Sequence, residues 1–184
     1  IMDAAAAGKI GAKDAVVISG KEEAFALERG RLAGIPAEYV SFGGYASKDD
    51  YERAILDILK QNDVDLVCLA GYMRLVGRII LEAYNNRIMN IHPALLPSFP
   101  GLHGQEQAWE YGVKYSGCTV HFVDNGMDTG PIIIQAVVPV YDEDTVDSLA
   151  ARILEQEHII YPEAIRLYAE GRLRIQGRKV FIAK

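Results

Sequence analysis

At 184 residues, half of them hydrophobic, the chain has the length for one domain with a substantial core. A formal charge of -6 argues against a general nucleic-acid binder, which needs a basic face, yet a few arginines or a helix N-terminus suffice for a small anion. No apolar run reaches the length of a membrane span, and Ile1-Met2-Asp3-Ala4 lacks the charged and apolar regions of a signal peptide. A soluble, cytoplasmic protein with no membrane partner is expected.

Residues 1–9 are Ala-rich and read as the tail of a helix ending near Gly8. Residues 14–19 are an expected strand, followed by Gly20 and a helix that Gly34-Ile35-Pro36 stops. A second strand is expected over 38–42. Ser47 opens the next helix, with Asp50 in a capping-box position and Ala54, Ile55, Ile58 and Leu59 as its apolar stripe. The almost wholly apolar residues 65–70 suit a strand covered on both faces. A short helix is expected over 79–84, and the next strand runs into Asn90. Residues 104–111 read as a helix, and 117–124 and 131–140 as strands joined by Asn125-Gly126-Met127-Asp128-Thr129-Gly130. Strands this close in sequence pair antiparallel. A long helix is expected from about 145 to 170, with a bend at Pro162, and residues 172–182 read as a hairpin turning at Gly177. The two cysteines, Cys68 and Cys118, form no CxxC pair and sit in apolar surroundings, as buried free thiols do. This strand–helix alternation predicts an α/β fold: one domain over 1–184, a mostly parallel twisted sheet with helices on both faces and an antiparallel edge.

The stretch that points to chemistry is Asn90-Ile91-His92-Pro93-Ala94-Leu95-Leu96-Pro97-Ser98-Phe99-Pro100-Gly101. Three prolines stiffen it, and it reads as a loop leaving a strand's carboxyl end, where α/β proteins place ligands. Asn90 and His92 stand two positions apart, on one side of an extended backbone. An imidazole tuned near neutrality is an acid or base, and an Asn amide is a neutral donor to a developing oxyanion. The competing reading of His92 is a satisfied core histidine. Asp128, in a Gly-rich loop, is either a simple turn residue or a carboxylate that raises the pKa of a nearby His92. Met73-Arg74-Leu75-Val76 is either a connection or a ligand wall. His103, His121 and His158 show no metal-ligand spacing and read as surface or core residues.

Taken together, Leu69-Ala70-Gly71-Tyr72-Met73-Arg74, Asn90-Ile91-His92-Pro93, Pro100-Gly101-Leu102-His103, Val120-His121-Phe122-Val123 and Asp128-Thr129-Gly130-Pro131 resemble the phosphoribosylglycinamide formyltransferase family. Gln156-Glu157-His158 and Tyr161-Pro162 belong to the same resemblance. It implies a Rossmann-like formyltransferase fold and direct formyl transfer from 10-formyltetrahydrofolate, a co-substrate, to the amine of glycinamide ribonucleotide in purine biosynthesis, without a metal. By resemblance, Asn90, His92 and Asp128 are the catalytic trio, with Asp128 positioning His92 and raising its pKa. The folate lies along Met73, Arg74, Leu75 and Val76 and touches Asn90, with its pterin edge against Asp124, Asn125, Gly126, Met127 and Asp128. Lys48 matches a further folate contact. Leu154, Glu155, Gln156 and Glu157 match the segment near the ribonucleotide, Glu157 being the direct contact; an exposed helix carboxylate is its alternative.

One departure stands out. The family opens with a strand and a Gly-Ser-Asn loop for the substrate phosphate, and nothing here matches them, so that segment is expected to be missing before Ile1. Two other readings follow from the same residues: a formyltetrahydrofolate deformylase, or a folate-binding remnant without activity. Methionyl-tRNA formyltransferase is disfavoured because it carries a basic C-terminal domain. A monomer and a homodimer are both compatible with the sequence.

Overall fold

A computed structural model describes residues 1–183. The chain opens with α1 (Met2–Ala6), which ends at Gly8 in a left-handed conformation (φ +67°). Strand β1 (Val17–Ser19) leads to α2 (Phe25–Leu32), which Gly34 terminates at φ +70°. The second strand, β2 (Ala37–Tyr39), is shorter than expected, because Phe42–Gly44 closes into a 3₁₀ turn instead of extending.

Helix α3 (Lys48–Gln61) is capped by Ser47, whose Oγ accepts the Asp50 N–H at 3.1 Å. Its buried residues are Tyr51, Glu52, Ile55 and Leu59, so a glutamate lies on the face where the stripe predicts only apolar groups. Strand β3 (Val67–Leu69), α4 (Arg78–Ala83) and β4 (Ile88–His92) follow. Here the expected loop is corrected. Asn90 and His92 belong to the strand, because Asn90, Ile91 and His92 pair with His121, Val120 and Thr119, and Pro93 then ends the run.

Helix α5 (Gly104–Tyr111) and strands β5 (Tyr115–Phe122) and β6 (Ile132–Pro139) match their expected spans closely, and the two strands are antiparallel. Helix α6 (Val146–Ala169) starts at a full capping box between Thr145 and Ser148 and runs past Pro162 without interruption. Strands β7 (Leu173–Gln176) and β8 (Lys179–Ile182) form the tail hairpin around Gly177 at φ +60°.

Strands β1 and β2 form a parallel pair of their own. The other six are ordered β3-β4-β5-β6-β8-β7, with β3–β4 and β6–β8 parallel and the remaining pairs antiparallel. The antiparallel part therefore begins at β4–β5, inside the sheet. Two apolar cores flank it. One joins Met89, Cys118, Val120 and Phe122 to α6; the other joins Ile88 to α3 and α4. Strand alternation then puts Asn90 and His92 on the α3–α4 side.

Candidate active site

Asn90 and His92 leave the same face of β4, and β5 sets His121 directly opposite Asn90. Between Val120 and His121 the pairing with β6 shifts register, leaving Ile133 as the extra residue, the kind of feature found beside sites. Asn90 Nδ2 lies 3.2 Å from His121 Nε2, and His121 Nδ1 lies 2.8 Å from the Phe122 carbonyl. A carbonyl only accepts, so Nδ1 carries a proton, while Nε2 lies between the Asn90 amide and the Asp128 carboxylate. His121 thus orients the amide.

Asp128 sits in the loop after β5 in a left-handed conformation (φ +54°), with its carboxylate between two histidines. Oδ2 accepts the Gly101 N–H at 2.7 Å and faces His92 Nδ1 at 3.4 Å, while Oδ1 faces His121 Nε2 at 3.6 Å. His92 Nε2 donates to the Phe99 carbonyl at 2.8 Å. The 99–101 loop therefore latches onto both partners: the Phe99 carbonyl accepts a hydrogen bond from His92 and the Gly101 N–H donates one to Asp128. Thr119 and Gln135 brace its approach, with Thr119 Oγ1 donating to the Ala94 carbonyl and Gln135 Nε2 donating to the Leu96 carbonyl.

His92 is 3% exposed. Burial favours the neutral ring and outweighs the Phe99 carbonyl and Asp128, which favour the charged one, so the His92 pKa is lowered from its usual 6.5. This corrects the expectation of a raised value: the carboxylate is adjacent, but desolvation is larger. Asp128 moves the other way from burial. His121 beside it, then the Gly101 N–H and His92, hold its carboxyl below the usual carboxylate range.

A cleft of about 380 Å³, counted to its open mouth, lies at the carboxyl ends of β3 and β4. Among the residues expected to touch folate, Arg74, Leu75, Val76, Asn90, Asp124, Gly126 and Asp128 line it, and Tyr72 and His121 join them. Lys48, Met73, Asn125 and Met127 do not; Met73 and Met127 are exposed, and Lys48 Nζ lies 3.7 Å from Glu52. His92 stands behind Asp128, outside the lining. Leu154, Glu155, Gln156 and Glu157 ride on α6, which packs on the opposite face of the sheet. Glu157 is half-buried and accepts no hydrogen bond or ion pair among the described residues, and burial alone raises its carboxyl pKa. No described group of three or more His, Cys, Asp or Glu side chains is arranged to hold a metal. No described helix is long and apolar enough to cross a membrane.

Two residues of this constellation escape sequence reasoning. His121 gains its meaning only from its register with Asn90, and Glu52 reads as an ordinary helix-surface carboxylate. The β5 fragment Val120-His121-Phe122-Val123 was the available signal for the first; none existed for the second.

The profile of the formyl transferase family matches residues 1–165. The phosphoribosylglycinamide formyltransferase of Escherichia coli (strain K12) is 42% identical over 182 residues, 99% of this chain and 86% of that protein. The trifunctional purine biosynthetic protein adenosine-3 of Drosophila melanogaster is 47% identical over 156 residues, and this chain spans 12% of its length. The crystal structure of glycinamide ribonucleotide transformylase 1 from Symbiobacterium toebii superposes with a TM-score of 0.98 at 55% identity, covering all of this chain and 87% of that one. A formyltetrahydrofolate deformylase structure from Pseudomonas syringae shares the fold (TM-score 0.91), but only 26% identity and 60% of its length. By the match over nearly its whole length, this chain belongs to the formyl transferase family.

Proposed function

We propose that this chain transfers the formyl group of 10-formyltetrahydrofolate to the amino group of glycinamide ribonucleotide. The observation that carries the reading is the convergence of the Asn90 amide and the Asp128 carboxylate on one cleft, with His92 held behind them. The names of the relatives with high identity supply the formyl transfer and its ribonucleotide acceptor, the folate donor follows from the resemblance of the motifs, and that folate lies along Arg74 to Val76 and against Asp124 to Asp128.

The amine attacks the formyl carbon, and the carbonyl oxygen becomes an oxyanion. Asn90 has a second N–H to offer it, because His121 occupies only the first. His92 reaches the reacting atoms when the Phe99 carbonyl releases Nε2. The ring then carries its proton on Nδ1, donated to Asp128, and presents the Nε2 lone pair as a base. It takes the proton of the attacking amine, and the resulting imidazolium stabilises the oxyanion. Collapse of the tetrahedral intermediate breaks the bond to folate N10, which receives a proton from His92 or through water. Glu157, partly desolvated and without a partner among the described residues, is ready for a donor group on the ribonucleotide.

The test is formyl transfer followed with and without glycinamide ribonucleotide. Turnover that requires the ribonucleotide, with Asn90→Ala slower by about 10²–10³, supports the transferase. Turnover without the ribonucleotide moves the assignment to a deformylase, and folate binding without turnover to a binding protein.

A further inference from the structure

The cleft wall from Gly71 to Gly77 has little of its own to hold it in place. Gly71 enters the segment in a left-handed conformation (φ +65°), and residues 70–76 make no backbone–backbone hydrogen bond among the described residues. Yet Tyr72, Arg74, Leu75 and Val76 line the cleft. Whatever fixes this segment must come from side chains elsewhere.

Helix α3 and the turn before it supply them. Glu52 is 1% exposed, and its Oε1 accepts the Gly77 N–H at 2.6 Å, a short, charge-assisted bond. Lys48, one helical turn earlier, lies 3.7 Å from the same oxygen. A Cβ at Gly77 would run into the Glu52 carboxylate and displace it, so glycine is what lets the two groups meet. Further along the segment, the Arg74 guanidinium sits 4.0 Å over the Phe42 ring, and Phe42 packs edge-on against Tyr51 at 5.2 Å. Of these contacts only the one from Glu52 grips the backbone, and it does so where the segment hands over to α4.

Resting on the proposed function, we infer that Glu52 is a positioning residue for the folate-binding wall, holding residues 71–77 in the conformation that accepts the pterin. It touches neither substrate. A buried carboxylate with one backbone donor and one distant lysine is a poor way to add stability, since an apolar side chain of the same volume would do at least as well. It is a good way to fix a loop.

The test compares Glu52→Gln, which keeps an acceptor for Gly77, with Glu52→Ala, which does not. Calorimetric titration with tetrahydrofolate is the first readout, because it needs no transfer activity. Glu52→Ala is expected to raise the Kd, and the KM for the formyl donor, about tenfold, while Glu52→Gln stays within about threefold. The KM for the ribonucleotide stays within about twofold in both. Gly77→Ala reproduces the loss in the parent chain and has a smaller effect in the Glu52→Ala background, where the obstructing carboxylate is gone. If Glu52→Ala does not fold, Glu52→Asp, one methylene too short for Gly77, carries the same expectation. Unchanged tetrahydrofolate affinity in folded Glu52→Ala or Glu52→Asp overturns the inference, as does an equal rise in both KM values. A parent chain that binds tetrahydrofolate but transfers nothing would instead count against the proposed function alone.

Discussion

At His92 two opposing effects set the proton affinity: burial favours the neutral ring, while Asp128 at 3.4 Å and the Phe99 carbonyl favour the charged one. Burial prevails, so the ring is neutral near pH 7 and available as a base. The acid limb of kcat/KM is expected below the ordinary histidine value of 6.5, and Asp128→Asn should lower it further by removing the attraction. A limb above that value in the parent chain would contradict the assignment. Glu157 offers a second residue-scale test. Its carboxyl titrates above its usual 4.5 in the folded chain, so ionising it costs stability as pH rises beyond that value. Glu157→Gln should raise Tm at pH 7.5, leave it unchanged at pH 4, and raise the KM for the ribonucleotide. Asn90 and His92 drew attention because they stand two positions apart beside a proline-stiffened stretch, whereas the glycines around Asp128 explain it equally well as a turn residue, and only the resemblance joined the three. His121 was not legible, because its role depends on which residue of β4 it faces. Glu52 was not either, since burial of a helix glutamate is a tertiary fact.

At the scale of elements, the junction between β6 and α6 depends on Asp144. Its two oxygens receive both terminal nitrogens of Arg152 at 2.7 Å each, together with the Tyr141 N–H and the Ser148 hydroxyl. Arg152, the Tyr141 N–H and Ser148 together hold the Asp144 carboxyl far below the usual carboxylate range. The guanidinium also lies 4.5 Å over the Tyr141 ring. Asp144→Ala is expected to lower Tm by about 5 °C or more while leaving the KM for both substrates unchanged, as calorimetry and kinetics would read. The helices themselves were legible: Ser47 and Thr145 are caps, Gly34 is a stop, and Gly177 is a turn. The end of β4 was not, because the prolines from Pro93 onward suggested a loop starting at Asn90, while pairing with β5 carries the strand on to His92. The early end of β2 has a local cause, Gly43 and Gly44 after Phe42, that strand propensity alone passes over.

For the whole molecule, these proton affinities combine into a stability profile. His92 is neutral in the folded chain to lower pH than in the unfolded one, so the unfolded state takes up its proton first. Stability therefore declines as pH falls below about 6.5. Asp128, Asp144 and Glu163 have lowered values, so their contribution is present above the ordinary carboxylate range and is lost as pH falls through the folded values. The urea midpoint should fall in two stages on acidification, and His92→Asn should remove the first. The alternation of strands and helices was enough to read the α/β class. How far the antiparallel pairing reaches into the sheet was not readable, because strand order is decided by contacts between residues far apart in the chain.

The chain has a single tryptophan, and its position assigns it a task. Trp109 Nε1 donates to the Asp144 carbonyl at 2.7 Å, and the residue is 40% exposed at the junction of α5 with α6, away from the residues that line the cleft. Its emission is thus a built-in optical reporter of that junction. Substrate entering the cleft leaves the signal quiet, whereas loosening of the α6 attachment shifts it toward the spectrum of an indole in water.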